Sequence, residues 1–292
     1  MGFLSCCRED VALSQVSTFG IGGPARLFIE INSVSMLQEA FEWSSATGTR
    51  VLVVGRGSNC LFSDGGFDGL VIRNNIAHCT FEESGRVVVG SGYSFSRLGV
   101  ESARAGWKGL EFAAGIPGSV GGAAYMNAGA NGQCTADVIH SVEYMNESGE
   151  KRSILRENIE CGYRSSSFQG MKGAITAVTF QLVASTGALQ RQKEMLEKRK
   201  KTQPYNAKSS GCCFRNPPGS SAGRLIEESG LKGACVGGAQ VSTVHANFIV
   251  NTGNARSSDV LELMNHIRET VCAKSGIMLD PEVRIVAERS EE

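Results

Sequence analysis

The chain has 292 residues, 41% of them hydrophobic and 20% charged, with 29 basic against 29 acidic side chains and a formal net charge of zero. That balance suits an ordinary soluble protein of roughly two domains, and it excludes reliance on a polyanionic partner, so neither nucleic acid nor a membrane surface is expected. Glycine stands at 36 of 292 residues, above the usual share of about 7%, which predicts backbone-mediated binding or many tight turns.

Ten cysteines show neither C-x-x-C nor zinc-finger spacing, which predicts scattered reduced thiols, no metal centre and a cytoplasmic setting. The opening MGFLSCCRED lacks a basic n-region and an apolar h-region, so no secretory signal is expected. Gly2 after Met nearly matches a myristoylation signal, but Cys6 stands where Ser or Thr is wanted. No window approaches the roughly 18 apolar residues of a membrane span.

A Gly-rich turn at 17–25 leads into a predicted strand at 26–31. Residues 33–48 place apolar side chains at Val34, Leu37, Ala40 and Phe41, with a capping-box pattern at Ser35 and Gln38 and Gly48 as a stop, which predicts a helix. RVLVVG at 50–55 reads as a buried strand, broken by Gly55-Arg56-Gly57-Ser58-Asn59, before another apolar run at 69–72. The loop is neither G-x-G-x-x-G nor a Walker sequence, so neither Rossmann nor P-loop chemistry is licensed. Arg56 is either a charge-assisted contact to an anion or an exposed arginine in a turn. A strand at 86–89 and a helix near 94–105, ended by Gly106, follow.

Residues 109–132, GLEFAAGIPGSVGGAAYMNAGANG, hold seven glycines, six alanines and one charged residue, Glu111. A run this bare either packs tightly or presents N–H groups to an anionic ligand. Phe112, Ile116, Val120, Tyr125 and Met126 occupy buried-looking positions within it. Two Gly-rich loops, each after an apolar segment, favour a long phosphate-bearing ligand held at two points. Strands are expected at 138–145 and 174–182, on either side of CGYRSSSFQ at 161–169, which is either a hydrogen-bonded surface loop or the polar wall of a site. A basic amphipathic helix at 189–201 reads as a connector, with a domain boundary near 190–205. Beyond it come a short helix at 220–230, a strand at 245–251, a helix at 257–276 with apolar residues at 260, 263, 264, 267 and 271, and a closing strand at 279–288.

Seven stretches in this order, TFGIGGPA at 18–25, GRGSN at 55–59, EFAAGIPGSVGGAAYMNAGA at 111–130, CGYRSSSF at 161–168, FRNPPGSSAGRLIEESGLKG at 214–233, HANFIVN at 245–251 and PEVRIV at 281–286, resemble the UDP-N-acetylenolpyruvoylglucosamine reductases of peptidoglycan synthesis. The short run between Tyr163 and Gly230 resembles the shorter, type II form. The resemblance implies an α+β protein: an FAD-binding domain of the vanillyl-alcohol-oxidase (PCMH) type in two subdomains, 1–75 and 76–190, and a C-terminal α+β substrate-binding domain, 205–292. It implies noncovalent FAD, its diphosphate held along Gly55, Arg56, Gly57, Ser58, Asn59 and along Gly115, Ile116, Pro117, Gly118, Ser119, Gly121 and Gly122, with the backbone N–H groups of these residues, Pro117 aside, as donors.

In this family NADPH reduces the flavin, a hydride passes to C3 of the enolpyruvyl ether, and C2 takes a proton. Negative charge growing on the substrate carboxylate calls for a preorganised cation and a hydrogen-bonding acid. Arg164 matches the arginine of the family's Y-R-x-S, and Glu282 the glutamate of its P-E-V. The family's G-S-x-F proton donor is replaced: Gly211-Cys212-Cys213-Phe214 puts Cys212 in the serine's place, with an inert buried thiol as the alternative reading. A thiol is a stronger acid but a weaker hydrogen-bond donor than an alcohol. Tyr163, Asn216, Arg224 and His245 match positions near the substrate, although His245, opening an apolar strand, is equally a satisfied core histidine. The resemblance further implies a cytoplasmic monomer whose partners are a UDP-enolpyruvyl amino sugar and NADPH. Two rivals stay open: another FAD-linked oxidoreductase of this fold acting on an alcohol or sugar, and a non-catalytic nucleotide-binding module.

Overall fold

Apolar periodicity places most elements where expected, and the computed structural model describes residues 3–288, so the Gly2 signal lies outside the described residues. The chain forms two compact units, one from residues up to Arg8, Leu27–Arg56 and Gly69–Arg199, the other from Glu9–Arg26, Gly57–Asp68 and everything from Lys200 onward.

In the first unit helix α1, Val34–Thr47, buries Leu37, Ala40 and Phe41 and ends at Gly48, whose φ of 66° is the left-handed cap a glycine accepts. Its N-cap is Ser33, not Ser35: Ser33 is extended and its hydroxyl accepts from Met36 N at 3.3 Å, while Ser35 already lies inside the first turn. The strand Val51–Val54 runs parallel to Phe67–Asn74, with Val51 opposite Leu70 and Val54 opposite Arg73. Leu37, Ala40 and Phe41 pack with Ile29, Leu70 and Ile72 in one apolar cluster.

This unit also holds a five-stranded antiparallel sheet, in the order Lys151–Leu155, Ile139–Asn146, Gly173–Gln181, Arg86–Gly90, Cys79–Phe81. Its apolar face is covered by residues of α2, Phe95–Arg104, and α3, Val120–Tyr125, with Phe95, Leu98, Phe112, Val120, Val178 and Phe180 all in the cluster. Phe112 and Val120 are buried as expected, whereas Ile116, Tyr125 and Met126 are half-buried. Glu111, the one charge of the glycine run, is buried too, accepting from Gly109 N at 2.5 Å and pairing with Arg191 of helix α4, Ala188–Thr202, at 3.1 Å.

The second unit holds a four-stranded antiparallel sheet, ordered Ser209–Cys212, Phe248–Asn251, Ala239–Val241, Cys235–Val236, with α5, Ala222–Glu228, and α6, Ser257–Ser275. Helix α6 buries Val260, Leu263, Met264, Ile267 and Val271, the five positions of its apolar period. Two expected strands are shorter. The first begins at Phe248, because Phe248 N turns back to His245 O at 3.0 Å, and the last is Arg284–Val286, parallel to Cys60–Phe62.

Candidate functional site

In the first unit Gly55 follows the strand Val51–Val54, and a Cβ there would lie 2.2 Å from Ser119 Oγ, so only glycine brings this loop so close to the glycine run. Ser119 caps α3, its Oγ accepting from Gly122 N at 3.3 Å. Much of the run's amide surface is taken up inside the fold: Gly115 N donates to Ser96 Oγ at 2.7 Å, Ile116 N to Ala113 O at 2.9 Å, and Gly121 N to Ser91 O at 2.8 Å. Among the described residues, the N–H groups of Gly118 and Ser119 have no protein acceptor. Gly118 has a φ of 132°, a conformation reserved for glycine, and Ser119 is buried. Two unmatched donors beside Gly55 fit an anion such as the FAD diphosphate, because a buried N–H left without an acceptor is costly. Gly121 has another reason to be glycine: a Cβ would meet Ser91 Cβ at 2.8 Å, whereas Gly122 is exposed with room for one. Arg56 is exposed.

The segment at 161–169 is a hairpin pinned to the glycine run. Cys161 pairs with Ser166 and Gly162 with Ser165, leaving Tyr163 and Arg164 as the two turn residues. Arg164 takes φ 55°, the left-handed region that non-glycine residues enter at a cost. Its Nη1 donates to Gly129 O at 3.0 Å, and its guanidinium carbon stands 5.6 Å from the centre of the exposed Tyr163 ring. Asn127 Nδ2 donates to Gly162 O at 2.9 Å, Ser166 Oγ to Tyr125 O at 2.7 Å, and Gln169 Nε2 to Arg164 O at 3.2 Å. The motifs of the chain do not single out Asn127 or Gln169. The available signal was a polar side chain, Asn127, surviving where almost every other had been removed.

In the second unit Cys212 ends the strand Ser209–Cys212, whose register against Phe248–Asn251 slips at a bulge where Gly211 has φ 81°. The bulge leaves Cys212 half-buried and turns Cys213 into the core, where burial pushes its thiol up to about 12. Glu282 N donates to Cys213 O at 2.8 Å and Phe214 pairs with Pro281, so the Cys212 segment runs beside the Glu282 segment. Asn59 supports this arrangement: its Nδ2 donates to Glu282 O at 3.1 Å and its carbonyl accepts from Arg284 N at 2.9 Å. Gly57, Ser58 and Asn59 belong to this second unit, while Gly55 and Arg56 belong to the first.

His245 is half-buried, and burial, with Lys232 adding to it, holds its imidazole below the ordinary value. Its Nδ1 accepts from Asn247 N at 3.2 Å, which places the proton of the neutral ring on Nε2. Arg224 and Asn216 are exposed on this unit, Arg224 donating to Ser220 Oγ at 3.1 Å and Asn216 Oδ1 accepting from Ala222 N at 3.0 Å. No group of three or more potential metal ligands occurs among the described residues.

Residues 25–154 match the family model of an FAD binding domain, and residues 203–286 match that of the UDP-N-acetylenolpyruvoylglucosamine reductase C-terminal domain. The chain is 53% identical over 279 residues to the UDP-N-acetylenolpyruvoylglucosamine reductase of Protochlamydia amoebophila, covering 96% of this chain and 93% of that protein. It is 48% identical to the reductase of Chlamydia felis, over 97% of this chain and 95% of that one. The crystal structure of the reductase from Thermus caldophilus superposes with a TM-score of 0.82 at 39% identity, covering 96% of this chain and 99% of that one. Relatives this similar over nearly the whole length place the chain in the UDP-N-acetylenolpyruvoylglucosamine reductase family of FAD enzymes.

Proposed function

We propose that the chain reduces the enolpyruvyl ether of UDP-N-acetylglucosamine enolpyruvate to the lactyl ether of UDP-N-acetylmuramate, a step in making peptidoglycan precursors, with NADPH as reductant. The names of the relatives support this reaction, and bound FAD supplies the hydride. The observation that carries the residue assignment is the Glu282 N to Cys213 O hydrogen bond, which aligns Glu282 with the Cys212 segment.

A hydride delivered to C3 leaves an electron pair at C2 that spreads into the adjacent carboxylate. Arg164 offers the cation that this growing charge requires, and its strained, pinned geometry means little reorganisation is needed at the moment of reaction. Glu282, in its protonated form, hydrogen-bonds the same carboxylate and lowers the cost of its charge. Cys212 gives the proton from Sγ to C2, forming the C–H bond, and its thiolate recovers a proton from solvent. Cys213, fully buried, has no access to the substrate.

Tyr163, Asn216, Arg224 and His245 contact the UDP-sugar in this reading, three of them exposed and His245 half-buried. The enzyme works as a cytoplasmic monomer. No helix among the described residues is long and apolar enough to cross a membrane.

The test is anaerobic: the enzyme is reduced with NADPH and mixed with the UDP-enolpyruvyl sugar while flavin absorbance is followed. Prompt reoxidation with formation of the lactyl ether is expected, and a flavin that stays reduced overturns the proposal.

A further inference from the structure

We propose that Asn127 and Gln169 are positioning residues that hold Arg164 in its working conformation, a role that rests on the reading of Arg164 as the partner of the substrate carboxylate. Arg164 sits at φ 55° in a two-residue turn, a backbone state that an arginine leaves readily unless its neighbours prevent it. The carbonyls that bracket the turn are both clamped. Gly162 O accepts from Asn127 Nδ2 at 2.9 Å, and Arg164 O accepts from Gln169 Nε2 at 3.2 Å.

The Asn127 clamp has a fixed direction. Its Oδ1 accepts from Ala136 N at 3.0 Å, so flipping the amide would set donor against donor and acceptor against acceptor. Asn127 is 6% exposed, hence water cannot replace either bond cheaply, and it carries its own φ of 42°, which asparagine tolerates. Gln169 Nε2 also donates to Tyr125 O at 3.2 Å, at the end of α3. The two amides thus couple the Arg164 turn to the segment that follows the FAD-facing glycines.

The experiment uses FAD-loaded protein and follows both half-reactions. Asn127→Asp keeps the Oδ1 acceptor and the left-handed tolerance but removes the donor, and Gln169→Met keeps length without the donor. Each is expected to slow substrate-driven reoxidation about tenfold or more, leaving NADPH-driven reduction and the flavin spectrum unchanged. Neither is expected to slow reoxidation further in an Arg164→Ala background. Where Asn127→Asp does not fold, Gln169→Met decides. If Arg164→Ala alone reoxidises at the wild-type rate, the reading of Arg164 fails and the proposal with it. If Arg164→Ala is slow but both clamp variants are as fast as wild type, only the clamp is overturned. Equal slowing of both half-reactions, or additive loss on the Arg164→Ala background, marks a merely structural role and also overturns it.

Discussion

Arg164 donates through Nη1 to the carbonyl of Gly129 at 3.0 Å, so the cation assigned to the substrate is anchored on the glycine run assigned to the flavin. In the proposed reading one segment of backbone serves two tasks, and the left-handed turn at Arg164 is held for chemistry rather than for stability.

That strain separates two substitutions. Arg164→Gly and Arg164→Ala both lose the Gly129 hydrogen bond and the charge, but glycine also relieves φ 55°. The glycine variant should be more stable than the alanine variant by about 1 kcal/mol in denaturant melts, while both reoxidise at least about 100-fold more slowly than wild type. An alanine variant as stable as the glycine variant would show that the turn is unstrained.

Cys212→Ala should cut substrate-driven reoxidation by about 10²- to 10⁴-fold, the range of a general acid, while reduction by NADPH proceeds normally. Cys212→Ser, which restores the family's residue, should retain substantial turnover. Full activity in the alanine variant would give the proton to another group.

The glycines divide by their neighbours. Gly55→Ala drives a Cβ into Ser119 Oγ, 2.2 Å away, and should purify with a low ratio of flavin to protein absorbance. Gly122→Ala, whose Cβ has only Ser119 Oγ at 3.4 Å nearby, should keep its flavin. Gly121→Ala meets the buried Ser91 and should lower stability first. Full flavin occupancy in Gly55→Ala would show that this loop is not part of the diphosphate cradle.

Burial raises the Cys213 thiol from 9.0 to about 12. Below pH 9 folded and unfolded chains both keep this proton, so it imposes no slope. Between about 9 and 12 the unfolded chain releases the proton and the folded one does not, so stability falls as pH rises, by up to about 1.4 kcal/mol per unit. Denaturant midpoints at pH 8 and pH 10 should differ less in Cys213→Ala than in wild type. An equal loss in both would assign the alkaline slope to other groups.

Elements whose signal is local were legible in the chain. Helix α6 shows its buried face in five apolar residues spaced at the helical period, and Gly48 marks the end of α1 because only its own backbone has to turn. The proposed site residues are marked in the chain only by motifs, and the motifs put Arg164, Cys212 and Glu282 in a pattern without saying what holds them. Ser33 and Ser35 show the same limit at small scale, since either could cap α1 until the backbone at Ser33 proves extended.

By itself the sequence determined the family and the α+β class, because those depend on residue type and order. Only the tertiary structure decided which amides of the glycine run remain available, that Cys213 and not Cys212 faces the core, and that Asn127 hydrogen-bonds the carbonyl before the Arg164 turn. Asn127 and Gly162 are 35 residues apart, and Asn59 and Glu282 are 223 apart. A hydrogen bond over such a separation leaves no periodicity in the chain, since it exists only once packing has brought the donor to its acceptor.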